Sequence, residues 1–406
     1  MTNEVSNVPE LRFPEYREEW EVKKLDEIVD FSKGKHLGKK DLTENDGVPC
    51  ILYGELYTKY GPIIDEVISK TNIDTNKLKK GTKNQILIPS SGETTEDIAT
   101  ASALNINEDV YIGGDLNILT PKKEDGRFIS LSLNGVNKWN VAKFAQGKTV
   151  VHLYNNDLRK LHINLPIKIE EQQKIGNFFS KLDRQIELEE QKLEKLEEQK
   201  KGYMQQIFSQ QLRFKDEDGS NYLDWSIKEL KEILTPGNKE KIEDKSIYNR
   251  LTVGLHGKGV FHLEQERKTK DTRPFYQRYE GELIIGKQNF FNGSIAIIPK
   301  EFNGYICSNA IMSYKFKDNI NSKYVLEYLL QNDFLRKNEF LADGTGQKEL
   351  SEKNFEVLKI NIPNSTEEQQ KIGDFFKKID ELIETQSSKV ELLKGRKQGF
   401  LQKMFI

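Results

Sequence analysis

Residues 170–176 read Glu-Glu-Gln-Gln-Lys-Ile-Gly, and residues 367–373 read Glu-Glu-Gln-Gln-Lys-Ile-Gly again, at an offset of 197. Held ungapped at that offset, 170–208 and 367–405 are identical at 20 of 39 positions. The likeness runs backwards as well. Leu161, Ile163 and Leu165-Pro166 answer Leu358, Ile360 and Ile362-Pro363; Ala145 and Gly147 answer Ala342 and Gly344; Ile86-Leu87-Ile88 answers Leu283-Ile284-Ile285. Each half also opens alike, with Leu11-Arg12-Phe13 and Trp20 in the first and Leu212-Arg213-Phe214 and Trp225 in the second. An internal repeat fixes the architecture before any local reading does. The chain is one unit written twice, a globular head followed by a helix, with heads that diverge and helices that hardly do.

The repeated stretch has the composition of a long helix, rich in Glu, Lys, Gln and Leu, without proline from 169 to 208. Its apolar residues recur every three and four positions, which is a heptad seam. In the first copy the seam is Phe179, Leu182, Ile186, Leu193, Leu196 and Tyr203, and in the second Ile379, Ile383, Val390, Leu393, Phe400 and Met404. Both copies interrupt it at matching places, with Glu189 and Gln386 at d and Lys200 and Lys397 at a. An antiparallel pair sets a against d, so these residues predict a register with Glu189 beside Lys397 and Gln386 beside Lys200. That register also places Leu193 on Leu393, Leu196 on Val390 and Ile186 on Phe400. A helix of this length extends about 60 Å, enough to span DNA half-sites set by turns of ~34–36 Å. Phe178 and Phe375 are expected as exposed apolar flanks for a partner helix.

Composition narrows the class. The 406 residues are 31% charged and 36% hydrophobic, with 15 Tyr and 21 Phe, which describes a polar chain with ordered cores. The formal net charge of −2 supplies no global basic field; if nucleic acid is bound, the positive charge must be local or a partner's. The N-terminus lacks the apolar core of a signal peptide, and no run approaches a membrane span. Cys50 and Cys307 lie far apart, so a reduced, cytoplasmic protein is expected.

In this order and doubled, the LRF…W openings, the AxG…L…LxIxL/IP approaches (145–166 and 342–363) and the EEQQKIG helix starts resemble the specificity subunits of type I restriction–modification systems. The resemblance covers essentially the whole chain. It implies an α+β fold, with two pseudo-twofold-related target-recognition domains (1–168 and 210–365) joined by two long antiparallel coiled-coil helices (169–209 and 366–406). It implies that each recognition domain reads one half of a bipartite double-stranded DNA target. It further implies two modification subunits carrying the adenine methyltransferase and S-adenosylmethionine, and restriction subunits carrying ATP- and Mg²⁺-dependent translocation and cleavage. No catalytic, cofactor-binding or metal-binding residue is expected on this chain.

The residues agree with that division. No two prolines are adjacent, so the Pro-Pro signature of adenine methyltransferases is missing. The stretch 34–40 mimics a phosphate loop but has its glycines one residue too close and Lys40 where Ser or Thr is required. His36, His152, His162, His256 and His262 form no recognisable triad or metal pattern. Two other readings stay open: a coiled-coil scaffold with protein ligands only, kept alive by the near-neutral charge, and a free-standing restriction or modification enzyme, which would need a motif not found.

Base readout needs Arg, Lys, Asn or Gln at base edges, and phosphate contacts need basic, hydroxyl or backbone N–H groups. Candidates in the first head are Lys33, Lys35, His36, Lys39 and Lys40, then Tyr57 and Lys59, then Ser90, Ser91 and Thr94 just after a strand at 86–88, and Lys148. In the second head they are Arg250, His256 and Lys258, then Lys287, Gln288, Asn289 and Asn292 after a strand at 283–285, then Asn309, and finally Gln347 and Lys348. The loop after each central strand is the strongest candidate, because both copies place a polar loop there with different chemistry. Further strands are expected at 111–119 and 294–298, and short helices near 320–340.

Overall fold

The computed structural model describes residues 7–147, 149–263, 272–341 and 349–406. The chain divides into two compact units, residues 1–190 with 388–406 and residues 191–387. The unit boundaries therefore fall inside the two long helices, Ile169–Phe208 and Thr366–Lys403.

In the first unit, a five-stranded sheet runs in the order Val29–Lys33, Leu116–Pro121, Ile86–Pro89, Ser102–Leu104 and Ile63–Ile64. Ile86, Leu87 and Ile88 have no exposed surface, as a central strand covered on both faces requires. A second five-stranded sheet holds Leu42–Thr43, Ser69–Thr71, Val48–Ile51, Val110–Ile112 and Lys79–Gly81. The single strand expected over 111–119 is two strands in different sheets. The break falls at Gly113–Gly114, where a Cβ on Gly113 would lie 3.0 Å from the Ile51 carbonyl oxygen.

The second unit repeats the central sheet with Leu234–Pro236, Ile311–Phe316, Leu283–Gly286 and Ile295–Ile297. In place of the second five-stranded sheet it carries a hairpin, Leu251–Val253 with Val260–His262, and a pair, Phe275–Gln277 with Ile306–Ser308. Helices at Ser322–Leu329 and Asn332–Asn338 occupy the helical region foreseen near 320–340. The mixed α+β class follows in both units. Among the described residues, no helix is long and apolar enough to cross a membrane.

The repeated heptapeptide is the junction that ties each head to its helix. Glu171 is buried and takes both guanidinium bonds of Arg12, at 2.7 and 2.8 Å, and the Trp20 indole N–H at 3.4 Å. Glu368 takes the same pair from Arg213, at 3.0 and 2.9 Å. Gln172 donates to the Pro166 carbonyl and accepts from the Asp125 N–H; Gln369 does so with Pro363 and Asn321. Asp125 and Asn321 are the N-caps of the Gly126–Asn134 and Ser322–Leu329 helices. Gly176 and Gly373 let those caps approach, since a Cβ would lie 3.2 Å from Asp125 Oδ1 and 2.5 Å from Asn321 Oδ1. The second, third, fifth, sixth and seventh positions of the motif therefore have a structural partner in both copies, with Lys174 over Phe13 and Lys371 over Tyr222, and Ile175 and Ile372 in the cores.

Each core is also closed by a helix end. Met404 and Phe405 enter the core of the first unit, where Phe405 packs 5.1 Å from Phe128 and 6.3 Å from Trp20 between ring centroids. Ile207 and Phe208 do the same in the second, with Phe208 stacked on Phe376 at 5.7 Å. Met404 is accordingly a core residue of the first head. Phe178 and Phe375, expected as open flanks, are half-buried: Phe178 packs on Phe13 and Phe400, and Phe375 on Tyr203 and Phe214.

Both units contain an antiparallel helix pair, slipped by about one heptad from the expected register. In the first, Lys397 meets Asp183 and not Glu189, Lys389 meets Glu189 at 2.7 Å, Lys394 meets Glu190 at 2.9 Å, and Phe400 packs on Phe178. Leu182, Ile186 and Leu393 share one apolar cluster, and Val390 is buried. In the second, Lys200 pairs with Asp380 at 2.7 Å and Glu327 at 2.9 Å, where Gln386 was expected. The charges that answer the seam lysines come from e positions, and the one that answers Glu189 from a g position. Flanking charges of this kind set register, so the slip leaves no seam charge unpaired. Leu193, Leu196, Ile379, Ile383 and Gln386 are half-buried, and Tyr203 is 38% exposed.

The two seam aspartates respond oppositely to these surroundings. Burial pushes the Asp183 carboxyl up, and Lys397 only partly offsets it. Burial also opposes ionisation of Asp380, but Lys200 and Lys323 together hold its carboxyl below the usual range. Asp380 thus contributes stability that is present above its unfolded pKa and lost as pH falls through the lower folded value. The raised Asp183 contributes stability that is present below its unfolded pKa and lost as pH rises through the folded one. Carboxyl NMR titration is expected to show Asp380 below and Asp183 above ordinary aspartates; equal midpoints would contradict the pairing. Phe405→Ala should destabilise the first unit, and Phe208→Ala the second, by about 3–5 kcal/mol in urea unfolding, whereas two ordinary surface positions would lose less than about 0.5 kcal/mol.

Candidate nucleic-acid interface

The residue following the central strand occupies one backbone slot in both heads. Ser90 donates its N–H to the Asp115 carbonyl and accepts from the Leu153 N–H; Lys287 donates to Ala310 and accepts from Leu350. The side chains in that slot differ. Ser90 is buried, while the Lys287 ammonium lies 3.7 Å from Glu352.

In the second head the slot opens onto a cleft of about 210 Å³ whose lining includes Arg250, Thr252, Arg273, Lys287, Gln288, Asn289 and Ser308. Four of the candidates therefore converge. A short 3-10 segment, Lys287–Asn292, carries Gln288 and Asn289 and is anchored by the buried Phe290. Its end is fixed by Gly293, whose φ of 68° is left-handed and costs glycine little. The hairpin turn bonds onto that end, His256 N–H to the Asn292 carbonyl at 2.8 Å and Gly257 N–H to the Gly293 carbonyl at 2.9 Å. His256 itself sits at φ 55°, and Lys258 is exposed beside it. The Asn292 amide reaches Asn289 at 3.3 Å. Arg250 lies over the Phe275 ring at 4.7 Å, with Lys245 over the same ring at 4.9 Å, contacts that hold the guanidinium in place. Asn309 lies away from the lining, its N–H bonded to the Pro274 carbonyl. Arg273, Thr252, Ser308 and Lys245 have no signal in the sequence as a group; the pairing of Phe275–Gln277 with Ile306–Ser308 and the bridge from Arg250 to Ile306 assemble them. Gln347 and Lys348, with Ala342 and Gly344, lie outside the described residues, as does Lys148.

The first head distributes its candidates differently. Lys35, His36, Lys39 and Lys40 are exposed on a loop strapped to the 112–116 turn by Lys35 N–H to the Ile112 carbonyl and Gly34 N–H to the Leu116 carbonyl. The phosphate-loop mimic is thus a surface strap with a short 3-10 turn at Lys39–Asp41. Lys33 lies over Tyr154 at 5.9 Å, Tyr154 stacks on His152, and His152 Nδ1 is 3.3 Å from the Ser91 hydroxyl. This polar and aromatic patch joins two candidates to His152 and Tyr154, which sequence distance had separated. Thr94 caps the helix Thr95–Ile98 through the Asp97 N–H, and Lys59 is bound to the buried Glu55 and to Ser69. Tyr57 is half-buried in Glu55–Thr58, and burial pushes its hydroxyl above the usual tyrosine range. Among the described residues, no three His, Cys, Asp or Glu side chains gather into a metal-binding group.

The family model for the type I restriction modification DNA specificity domain matches the chain twice, over residues 17–198 and 222–393. The chain is 25% identical to a putative type I restriction enzyme MjaX specificity subunit of Methanocaldococcus jannaschii, covering 97% of this chain and 95% of that one. It is 24% identical to the MjaVIII specificity subunit of the same organism, over 96% and 92%. Among solved structures, the fold is similar to a type I restriction–modification S subunit from M. genitalium, with a TM-score of 0.66 at 17% identity over 98% and 99% of the two chains. A chain from a study of assembly and conformational transition in the type I system matches with a TM-score of 0.51 at 13% identity, over 94% and 96%.

Gly34 is the tightest point of the basic strap. A Cβ there would stand 1.7 Å from the Gly113 carbonyl oxygen, so Gly34→Ala must move backbone. The expected result is a loss of about 1–3 kcal/mol in denaturant unfolding, with faster amide exchange across 34–38; an unchanged midpoint would contradict the strap.

Proposed function

Because the chain belongs to the type I restriction–modification DNA specificity domain family, we propose that it is the subunit that reads a bipartite DNA target, one half-site per unit, and that it performs no chemistry itself. The observation that carries this reading is the shared slot after the central strand, filled by Ser90-Ser91 in one head and Lys287-Gln288 in the other. One scaffold presenting two chemistries is what a protein needs to read two unlike half-sites. Amide and cationic groups at this slot match the donors and acceptors of base edges, while Lys35, Lys39, Lys40 and Lys258 suit phosphates. Those local cations supply the field that the net charge of −2 does not.

In this reading the long helices set the spacing between half-sites and dock two modification subunits. These bring the adenine methyltransferase with S-adenosylmethionine. Restriction subunits bring the ATP- and Mg²⁺-dependent translocase and nuclease, and the assembly works in the cytoplasm. The scaffold reading without DNA readout offers no reason for the convergence of Arg250, Lys287, Gln288 and Asn289 on one cleft.

Replacing Lys287, Gln288 and Asn289 together by alanine tests the assignment. Mapping methylated adenines in cells that carry the full system should show one half of the target relaxed or lost and the other half retained. The expected penalty is about 1–3 kcal/mol per lost base contact. An unchanged methylation pattern would overturn the assignment of this loop.

A further inference from the structure

The hairpin of the second head has an unusual outer face. Leu251 and Val253 point into the protein, 2% and 8% exposed. Thr252 stands directly opposite Phe261, and Arg250 is bonded across the hairpin to Leu263. Directly opposed residues share a face of the sheet, so Arg250, Thr252, Phe261 and Leu263 project together. A solvated hairpin face is ordinarily polar. Here Phe261 and Leu263 are 46% and 47% exposed. Leu263 lines the cleft with Arg250 and Thr252, beside Gln288 and Asn289; Leu251 and Val253 border it from the hairpin's other face, and Phe261 stands next to it, directly opposite Thr252. Nor is the exposure slack in the fold. The Phe261 ring lies across Gly254, where a Cβ would come within 2.4 Å of it, and the turn beyond is pinned by the two backbone bonds to Asn292 and Gly293.

Two held, exposed apolar side chains on a surface of amide and guanidinium groups call for an apolar ligand group. Among base edges in the major groove, one group is apolar: the C5-methyl of thymine. We infer that the half-site read by the second head contains a thymine whose methyl group packs against Phe261 and Leu263, next to the bases contacted by Gln288 and Asn289. The inference rests on the DNA-reading function proposed above and adds the identity of one base to it. Phe261 and Leu263 are then specificity-determining residues, acting through shape and desolvation rather than hydrogen bonds.

The test uses the subunit assembled with its modification subunits and a duplex carrying the target sequence mapped in cells. Each thymine is replaced in turn by deoxyuridine, which removes the methyl and leaves every hydrogen-bonding group. One replacement, in the half-site altered by the Lys287/Gln288/Asn289 substitution, should weaken binding about three- to tenfold. Phe261→Ala and, independently, Leu263→Ala should weaken the unmodified duplex by a similar factor and erase the difference between thymine and uracil there, while Phe261→Leu keeps it. Tolerance of uracil at every position, with discrimination of target from scrambled duplex intact, would overturn the methyl contact alone. Equal binding of target and scrambled duplex would overturn the DNA-reading function itself.

Discussion

The rest of the molecule hangs on a buried carboxylate clamped by a guanidinium, Glu171 with Arg12 in one unit and Glu368 with Arg213 in the other. A charge taken out of water is strongly unfavourable alone; removing one partner of a buried pair costs about 3–5 kcal/mol. Each carboxylate therefore dictates where the opening segment of its unit must lie, against the first turn of the long helix. The neighbouring glutamine extends the same logic, joining the last strand's proline carbonyl to the N-cap of the central helix. The head cannot rotate about the helix start without breaking several buried polar contacts at once.

The helix ends supply the apolar counterpart. Phe405 reaches Trp20, Phe128 and Phe179, and Phe208 reaches Tyr324, Tyr328 and Phe376. The first core is thus finished by residues from far along the chain, and the second by residues at the start of its own unit. With the framework held from both sides, the strand-connecting segments are free to differ, and they do: a second five-stranded sheet and a basic strap in the first unit, a pinned hairpin and a cleft in the second. The candidate recognition residues lie largely in these divergent segments, where the framework makes the fewest demands.

Much of this was legible in the residues. The doubled heptapeptide, the LRF…W openings and the central Ile-Leu-Ile and Leu-Ile-Ile strands announced a repeated unit, because buried polar junctions and all-apolar strands leave strong local marks. The long helices followed from composition and period. The candidate site was half legible. Lys287, Gln288 and Asn289 follow a strand that the sequence reveals, but Arg273 and Ser308 join them only through the pairing of Phe275–Gln277 with Ile306–Ser308, and Thr252 through the bridge from Arg250 to Ile306. In the first head, Thr94 and Lys59 proved to cap a helix and to pair with a buried carboxylate, uses that polarity alone does not separate from ligand contact.

What the sequence determined by itself was the period: two units, two rods, one shared junction, each written in short-range patterns that do not depend on distant contacts. What tertiary structure decided was the register and the convergence. Seam residues alone favoured a pairing one heptad away, because they ignore flanking charges. Asp183, Asp380 and Lys389 reach the seam from e and g positions and satisfy Lys397, Lys200 and Glu189, so the slipped pairing buries apolar residues without stranding a charge. Which flank a long charged side chain reaches across is set by the three-dimensional path of both helices, and no window along one chain contains it.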